Sequence, residues 1–299
     1  MLSYATPIQI GSTEEWSLLN QRGQEYIVQI GYPRDWDSYK SCPGDEGVPI
    51  VYLTDGNSVF LTALEALHRR LSINRTTFST GVIVAIGYPV PPNSGFIFDA
   101  RRSWDLTPPA LGAKGNEGGA DEFIKFINDR VKPFVHERLR DTHAAKVGEE
   151  ALYGHSLGGL FSLHTLFTHP NSFDCFIASS PSIWWHNEFI LKEEATFSKK
   201  QSNVINSQKP SLIMFVGGQE QNPPRRRGES DEEHQKREKR HNERRMVSNV
   251  FDMYCRLKSS GNLHNISSHV YEGEDHGTVI ACSVSRGMTT FLEDWPFQI

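Results

Sequence analysis

The sequence predicts an α/β fold in which a mostly parallel central sheet is flanked by helices on both faces. Short apolar runs alternate along the chain with longer runs of helical periodicity, which is the pattern of strands joined by crossover helices. The runs Val48–Thr54 and Gly81–Gly87 are almost continuously apolar, as expected of strands covered on both faces. We expect one domain over residues 1–299, with a charged surface insert at about 221–245.

The remaining elements follow in chain order. Glu25–Ile30 is predicted to be an antiparallel edge strand. Four further strands are predicted at Glu150–Tyr153, Phe173–Ala178, Ser211–Val216 and Ser267–Tyr271. Apolar residues recur at helical spacing between Phe123 and Val135, and the segment Gly277–Trp295 is predicted to close the fold as a helix.

Charge and composition exclude several classes of function. The chain carries 31 Lys and Arg against 36 Asp and Glu, a net charge of -5, which gives no basic field for nucleic acid or an anionic membrane. No apolar run approaches the roughly 18 residues of a membrane span, and the first residues do not form a secretory signal. We expect a cytoplasmic protein that acts on a small molecule. The motifs of phosphate, dinucleotide, zinc-protease and calcium sites are absent from the sequence, so no cofactor and no metal is predicted.

The segment Pro223–Arg245 is the one anomaly of composition, with nine basic and six acidic residues. Such a run is typical of a solvated loop that leads into an exposed helix stabilised by i,i+4 ion pairs. The alternative is a basic patch that binds a partner. Interspersed acids weaken that alternative because they cancel much of the positive field.

A G-x-S-x-G pentapeptide stands where a predicted strand ends and an apolar helix begins. Its small flanking residues, Gly154 and Gly158, would allow the serine to adopt a strained turn with its hydroxyl exposed. This pattern predicts that Ser156 is a nucleophile. The alternative is a plain strand-to-helix turn with a capping serine.

A serine nucleophile needs a general base, and His276 is the predicted one. It lies on a glycine-flanked loop between the last predicted strand and the final helix. Seven other histidines lie in helical or charge-rich settings, namely His68, His136, His143, His164, His169, His234 and His241. The orienting acid is expected after the strand between serine and histidine, which nominates Glu220 and ranks Asp275 second. A Ser-His dyad without an acid stays open.

An oxyanion hole needs two backbone N–H donors. One normally belongs to the residue after the nucleophile, here Leu157. The second is expected after the early buried strand, where Gly56 would let the chain turn so that the N–H of Asn57 faces the site. The alternative there is a simple Asp-Gly turn.

With these residues in place, the chain resembles the esterase D-like branch of the α/β-hydrolases, and within it the iron-siderophore esterases, most closely the fungal esterases of fusarinine and triacetylfusarinine C. The resemblance runs from about Tyr26 to the final helix and implies an α/β-hydrolase fold. It rests on six motifs, YLTDGN at 52–57, RRSWDLTPP at 101–109, GGADEFIKFI at 118–127, YGHSLGGLFSLHTL at 153–166, SSPSIWW at 179–185 and EDHGT at 274–278.

The resemblance also implies catalytic roles for particular residues. Ser156 and His276 match the family's nucleophile and base, and Leu157 and Asn57 match its oxyanion donors. Family members often carry G-E-x-E after the acid's strand, whereas this chain has G-G-Q-E, which keeps Glu220 but not the earlier glutamate. A Ser-His dyad has been proposed for related bacterial enzymes, so the role of the acid stays open.

Six more residues are placed by the resemblance around the substrate mouth. They are Arg101, Arg102, Gly118, Gly119, Trp184 and Trp185. Arginines can hold carbonyl-rich or acidic groups, and tryptophans offer broad apolar walls to a bulky chelate. The alternatives are an ion pair within the protein, such as one with Asp105, for the arginines and core packing for the tryptophans.

The function implied is hydrolysis, through an acyl-enzyme, of the ester bonds of a cyclic hydroxamate siderophore of the fusarinine or triacetylfusarinine C type, for iron release inside the cell. The substrate is a small-molecule siderophore ester, and whether it is iron-loaded or iron-free stays open. A general carboxylesterase or S-formylglutathione hydrolase is the alternative enzyme. A catalytically silent binding protein is the alternative from another class.

Overall fold

The central element of the protein is one eight-stranded sheet, seen in a computed structural model that describes residues 9–34, 36, 47–73, 81–91, 95, 97–199 and 209–293. The strand order across the sheet is β1-β2-β4-β3-β5-β6-β7-β8. The strands are β1 (Thr13–Leu19), β2 (Glu25–Gly31), β3 (Val48–Leu53), β4 (Val82–Gly87), β5 (Val147–His155), β6 (Cys175–Ser179), β7 (Ser211–Gly217) and β8 (Ile266–Tyr271).

The sheet is mostly parallel, as predicted. β1 pairs with β2 and β2 with β4 in antiparallel register, and the other five pairings are parallel. Parallel strands carry their carboxyl ends to one edge of the sheet, where ligands of open α/β sheets bind. Ser156, Glu220 and His276 follow those ends.

Helices cover both faces of the sheet. They are α1 (Gly56–Ile73), α2 (Arg102–Asp105), α3 (Ala120–Phe126), α4 (Lys132–His143), α5 (Leu157–Thr168), α6 (Trp185–Glu188), α7 (Ile190–Lys199), α8 (Asp231–Arg244), α9 (Met246–Ser260) and α10 (Val279–Leu292). A π-helical turn at Ile127–Val131 joins α3 to α4. Within the described part of the chain, none of these helices combines the length and the apolar character needed to cross a bilayer.

The core is divided into two layers by the sheet. Along β3, Ile50 and Tyr52 point into one apolar layer, whereas Val51 and Leu53 point into the other. This alternation follows from the two-residue period of a strand, and both sets are buried because helices cover both faces. α1 and α10 supply the second layer, and α4, α5 and α9 contribute to the first.

The strands predicted from buried apolar runs are confirmed, but one detail is wrong. Glu25–Ile30 is antiparallel as expected, yet it is not an edge strand, because β1 pairs along its outer side. β1 has the sequence TEEWSLL and is half-exposed over its whole length, so it lacks the apolar signal of a strand. The predicted closing helix is α10, which ends at Leu292, and Trp295 lies outside the described residues.

Candidate active site

Four of the predicted site residues lie just after carboxyl ends of parallel strands. Asn57 follows β3, Ser156 follows β5, Glu220 follows β7 and His276 follows β8. The strands β3, β5, β6, β7 and β8 are successive neighbours in the sheet. Residues that are far apart in the sequence are therefore brought to one edge.

Ser156 occupies a sharp turn between β5 and α5. Its backbone has φ 61° and ψ -115°, a left-handed conformation that is costly for a residue with a Cβ atom. The Ser156 N–H donates to the carbonyl of Ser179 over 2.9 Å, and the Ser156 carbonyl accepts from the Ser182 N–H over 3.1 Å. Both contacts hold the strained residue against the loop that follows β6.

The glycines of the pentapeptide are required by close backbone approach. A Cβ atom on Gly154 would lie 2.0 Å from the carbonyl oxygen of Gly158, and one on Gly158 would lie 2.4 Å from the hydroxyl oxygen of Thr54. No side chain fits at those distances. The spacing of the G-x-S-x-G motif therefore follows from the shape of this turn.

Ser156, His276 and Glu220 form a continuous chain of hydrogen bonds. The Nε2 atom of His276 lies 3.0 Å from Ser156 Oγ, and its Nδ1 atom lies 2.6 Å from Glu220 Oε2. An ionised carboxylate only accepts hydrogen bonds, so Nδ1 carries the proton and Nε2 is free to accept from the serine hydroxyl. This is the arrangement in which an imidazole acts as a base toward a serine.

The carboxylate of Glu220 is fixed on its other side as well. Its Oε1 atom accepts a hydrogen bond of 2.8 Å from the Gly217 N–H and another from the hydroxyl of Ser180. The side chain is only 1% exposed. These donors compensate the buried charge and hold the carboxylate in one position relative to His276.

Asp275, the second-ranked acid, faces its own loop. Its Oδ1 atom accepts from the N–H groups of Gly277 and Thr278 over 2.8 and 2.9 Å. These hydrogen bonds, led by the one from Thr278, lower the pKa of Asp275. The residue therefore shapes the turn that carries His276 and makes no hydrogen bond to the imidazole.

The predicted oxyanion donors each lie in the first turn of a helix. Leu157 begins α5, and Asn57 is the second residue of α1. N–H groups in a first turn have no acceptor within their own helix, which leaves them available to an oxyanion. Asn57 is held in place because its side-chain amide exchanges hydrogen bonds of 2.8 and 2.9 Å with the backbone of Tyr88.

His155 packs directly against the candidate base. The rings of His155 and His276 have centroids 4.6 Å apart, and Nδ1 of His155 lies 3.2 Å from Ser179 Oγ. Burial, and then the proximity of His276, holds the pKa of His155 well below its usual value. An uncharged His155 supports the ring of His276 without placing a second positive charge beside it.

A cavity of about 450 Å³ opens above the serine. Ser156, His276 and Trp184 line it, and so do His241 and Arg244 of α8. The outer face of α8 is exposed, and other residues of the charged segment line the cavity.

Comparison with known proteins places this site in a family. The profile of a family described as "Putative esterase" matches residues 20–263. The chain belongs to this esterase family. The esterase is 45% identical over 294 residues to the siderophore triacetylfusarinine C esterase of Aspergillus fumigatus, covering 98% of this chain and 97% of that one.

Two further relatives agree with this assignment. The ferri-bacillibactin esterase BesA of Bacillus subtilis is 33% identical over 258 residues, which cover 82% of this chain and 79% of that one. The solved structure of the siderophore hydrolase EstB from Aspergillus nidulans superposes with a TM-score of 0.90 at 42% identity, covering 98% and 99% of the two chains. The α/β-hydrolase type of fold predicted from the motifs is thereby confirmed.

The two arginines predicted at the substrate mouth are engaged within the esterase. Arg102 forms a bidentate pair with Asp55 at 2.8 and 2.9 Å, and Arg101 contacts Asp99 and the carbonyl of Glu25. Neither lines the cavity described above. The ion-pair alternative therefore accounts for both arginines, although the partner is not Asp105, which accepts hydrogen bonds from two buried tyrosines instead.

Of the predicted glycine and tryptophan pairs, three residues pack within the protein and one lines the cavity. A Cβ atom on Gly119 would lie 2.0 Å from the ring of Trp104, and the N–H of Gly118 donates to Thr107, so both glycines serve local packing. Trp185 is 5% exposed and belongs to the core. Trp184 alone of this set lines the cavity.

Sequence reasoning missed four residues at this site. Ser180 bonds the carboxylate of Glu220, and Ser182 Oγ lies 3.5 Å from Ser156 Oγ. The SSPSIWW motif was the signal that could have found both. His241 and Arg244 carry no such signal, because their polar side chains are typical of an exposed helix.

Proposed function

We propose that the chain is a serine esterase that opens the ester bonds of a cyclic hydroxamate siderophore of the fusarinine or triacetylfusarinine C type. The observation that carries this proposal is the hydrogen-bonded chain from Glu220 through His276 to Ser156 at the wall of an open cavity. The relatives supply the substrate class, because those that match over most of the chain are named esterases of siderophores.

In the first half of the reaction, Ser156 Oγ attacks the ester carbonyl carbon while His276 Nε2 takes the hydroxyl proton. Glu220 keeps the proton of Nδ1 in place and stabilises the imidazolium that forms. The N–H groups of Leu157 and Asn57 bind the oxyanion of the tetrahedral intermediate. His276 then gives its proton to the departing alkoxide, which leaves as an alcohol, and the acyl group stays on Ser156.

In the second half, water replaces the alcohol. His276 Nε2 takes a proton from the water as the water attacks the acyl carbon, and the same oxyanion donors stabilise the second intermediate. Collapse of this intermediate returns the proton to Ser156 Oγ and releases a carboxylic acid, which ionises in water. Only water is needed as a second substrate.

We place this reaction in the cytoplasm, after uptake of the siderophore, where cleavage of the ligand would weaken its hold on iron. The three chelating arms of a cyclic ester are joined by the ester bonds themselves. Their separation removes the advantage of linked binding groups. The sequence predicts this location, and immunolocalisation of the tagged full-length protein in the native cell tests it. Detection of the tagged protein outside the cell or at a membrane would contradict it.

The decisive experiment is a mass-spectrometric hydrolysis assay. Ferric and iron-free triacetylfusarinine C would be compared with enterobactin, a simple acyl ester and S-formylglutathione. We expect opening of the fusarinine ring by the wild type and a loss of about 10⁴-fold or more in Ser156→Ala. Ser259→Ala, on the exposed surface of α9, is the matched control and should keep the wild-type rate.

Two results would overturn the proposal. Turnover confined to the simple substrates would identify a general esterase or an S-formylglutathione hydrolase. Absence of labelling of Ser156 by a fluorophosphonate probe, together with absence of turnover on every substrate, would identify a catalytically silent binding protein. Full activity of Ser156→Ala would contradict the mechanism in which Ser156 is the nucleophile.

A further inference from the structure

Four arginines of the charged segment line the cavity, and two of them are neutralised within the protein. Arg237 forms a bidentate pair with Glu229, and Arg225 pairs with Asp231. These two cations hold the loop before α8 against the helix. They carry little uncompensated charge toward a ligand.

Arg244 differs from these two. Its guanidinium lies 4.3 Å above the ring of Trp184, and both side chains are half-buried in the cavity wall. Within the described ranges of the chain, no carboxylate lies within ion-pair distance of Arg244. Burial, followed by repulsion from Arg240, lowers the pKa of Arg244, although it remains charged at neutral pH. A partly desolvated cation without an acidic partner is a site that favours an anion.

The reaction itself produces such an anion. Hydrolysis of one ester consumes one water, breaks the acyl C–O bond, and yields a carboxylate, an alcohol and a proton. When the ester belongs to a ring with three ester bonds, the first cut leaves one linear molecule. That molecule has a carboxylate at one end and still contains two ester bonds.

We propose that Arg244 and Trp184 form a subsite that binds the carboxylate of the opened, linear ester. The guanidinium donates paired hydrogen bonds to the carboxylate, and the indole ring holds the guanidinium in place. The unit that bears the carboxylate also supplies the alcohol oxygen of its remaining ester bond, so binding of this carboxylate would present that bond to Ser156 with the bound unit as the leaving group. The subsite rests on the proposed function, because it takes the first product of that reaction as its ligand.

The test compares one linear ester in two forms, as the free carboxylic acid and as its methyl ester. The linear trimer obtained from triacetylfusarinine C serves as the substrate. We expect the wild type to favour the acid by about tenfold in kcat/KM, the effect of one charge-assisted contact. In Arg244→Gln this ratio falls to about one. Lys239→Gln removes an exposed cation from the same helix and should keep the wild-type ratio.

A second readout follows the cyclic ester over time by mass spectrometry. The wild type should convert the ring to monomers with little free linear trimer, whereas Arg244→Gln should release the trimer and accumulate it. An acid-to-methyl-ester ratio near one in the wild type, or an unchanged ratio in Arg244→Gln, would overturn the subsite. Because each ratio is measured within one variant, a partial loss of folded protein does not change it.

A separate measurement distinguishes failure of the subsite from failure of the proposed function. Hydrolysis of 4-nitrophenyl butyrate would be inhibited with the monomeric hydroxy acid and with its methyl ester. If the wild type leaves the cyclic siderophore intact but cleaves 4-nitrophenyl butyrate, the proposed function fails. Stronger inhibition by the acid than by its methyl ester, lost in Arg244→Gln, would then still establish the carboxylate site, and equal inhibition would overturn it.

Discussion

The imidazole of His241 donates a hydrogen bond from Nδ1 to the backbone carbonyl oxygen of Glu220, across 2.8 Å. The acceptor is a carbonyl, so Nδ1 carries the proton whether the ring is charged or neutral. Helix α8 is thereby tied to the short loop that carries the candidate acid. The charged segment thus has a structural link to the catalytic geometry as well as a place in the cavity wall.

Replacement of His241 by Ala should lower kcat by about three- to tenfold, because the loop that positions Glu220 loses one of its anchors. Steady-state kinetics on the ester substrate checks this. Lys239→Ala, an exposed change on the same helix, is the control and should have no effect. In a Glu220→Gln background the His241 change should cost little further activity. If the losses in kcat from the two single variants simply multiply in the double variant, His241 acts by a route other than the position of Glu220.

The assignment of the acid can be tested by two matched amide substitutions. Glu220→Gln should lower kcat by on the order of 10²–10⁴-fold, because the amide no longer stabilises the imidazolium of His276. Asp275→Asn should lower it by no more than about threefold, because an asparagine oxygen still accepts the N–H groups of its turn. Single-turnover and steady-state rates measure both. A near-wild-type rate in Glu220→Gln would indicate a Ser-His dyad.

The strands and site residues that are best predicted from the sequence are those that depend only on a local pattern. β3 and β4 are continuous apolar runs because both faces of the strands are buried, and Ser156 is marked by glycines that the turn itself requires. β1 escaped prediction because a polar strand that is half-exposed has no such pattern. His276 was found because it follows the last strand, where chain order in this fold places the base.

The parts that could not be predicted depend on contacts between distant segments. Arg102 pairs with Asp55, which is 47 residues away, and no motif indicates that partner. Arg244 and His241 have the composition of a solvated helix, and only the packing of α8 over the cavity gives them a place at the site. Trp184 and Trp185 are adjacent in sequence, yet one lines the cavity and the other enters the core.

The glycines of the G-x-S-x-G pentapeptide provide a prediction about stability. Gly154→Ala would place a methyl group 2.0 Å from a backbone oxygen, so that β5 or α5 must move. We expect a loss of about 3 kcal/mol or more in the free energy of unfolding, with slower fluorophosphonate labelling of Ser156. Urea unfolding measures the first and mass spectrometry the second. Gly115→Ala, where nothing lies within 4 Å of the new methyl group, is the control. Equal stability of the two variants would contradict the steric argument.

A buried histidine joins three helices away from the candidate site. His164 of α5 bonds Asp121 of α3 through Nε2 at 3.0 Å and Glu193 of α7 through Nδ1 at 2.8 Å. Its side chain is only 1% exposed. Burial opposes the charge on His164, but the hydrogen bonds with Asp121 and Glu193 outweigh it and raise the pKa to about 9. Both ring nitrogens face carboxylates, as an imidazolium requires.

This raised pKa predicts that stability falls as pH rises through the alkaline range. The folded protein holds a proton on His164 that the unfolded chain releases above its ordinary pKa of about 6.5, so the contribution is complete below that pH. It decreases by up to about 1.4 kcal/mol per pH unit between the two pKa values, and it is lost above the folded value. Urea unfolding of the wild type and of His164→Gln from pH 6 to pH 10 measures this slope. The variant should be less stable at pH 6 and should show a flatter profile than the wild type, whereas parallel profiles would mean that His164 is neutral in the folded protein.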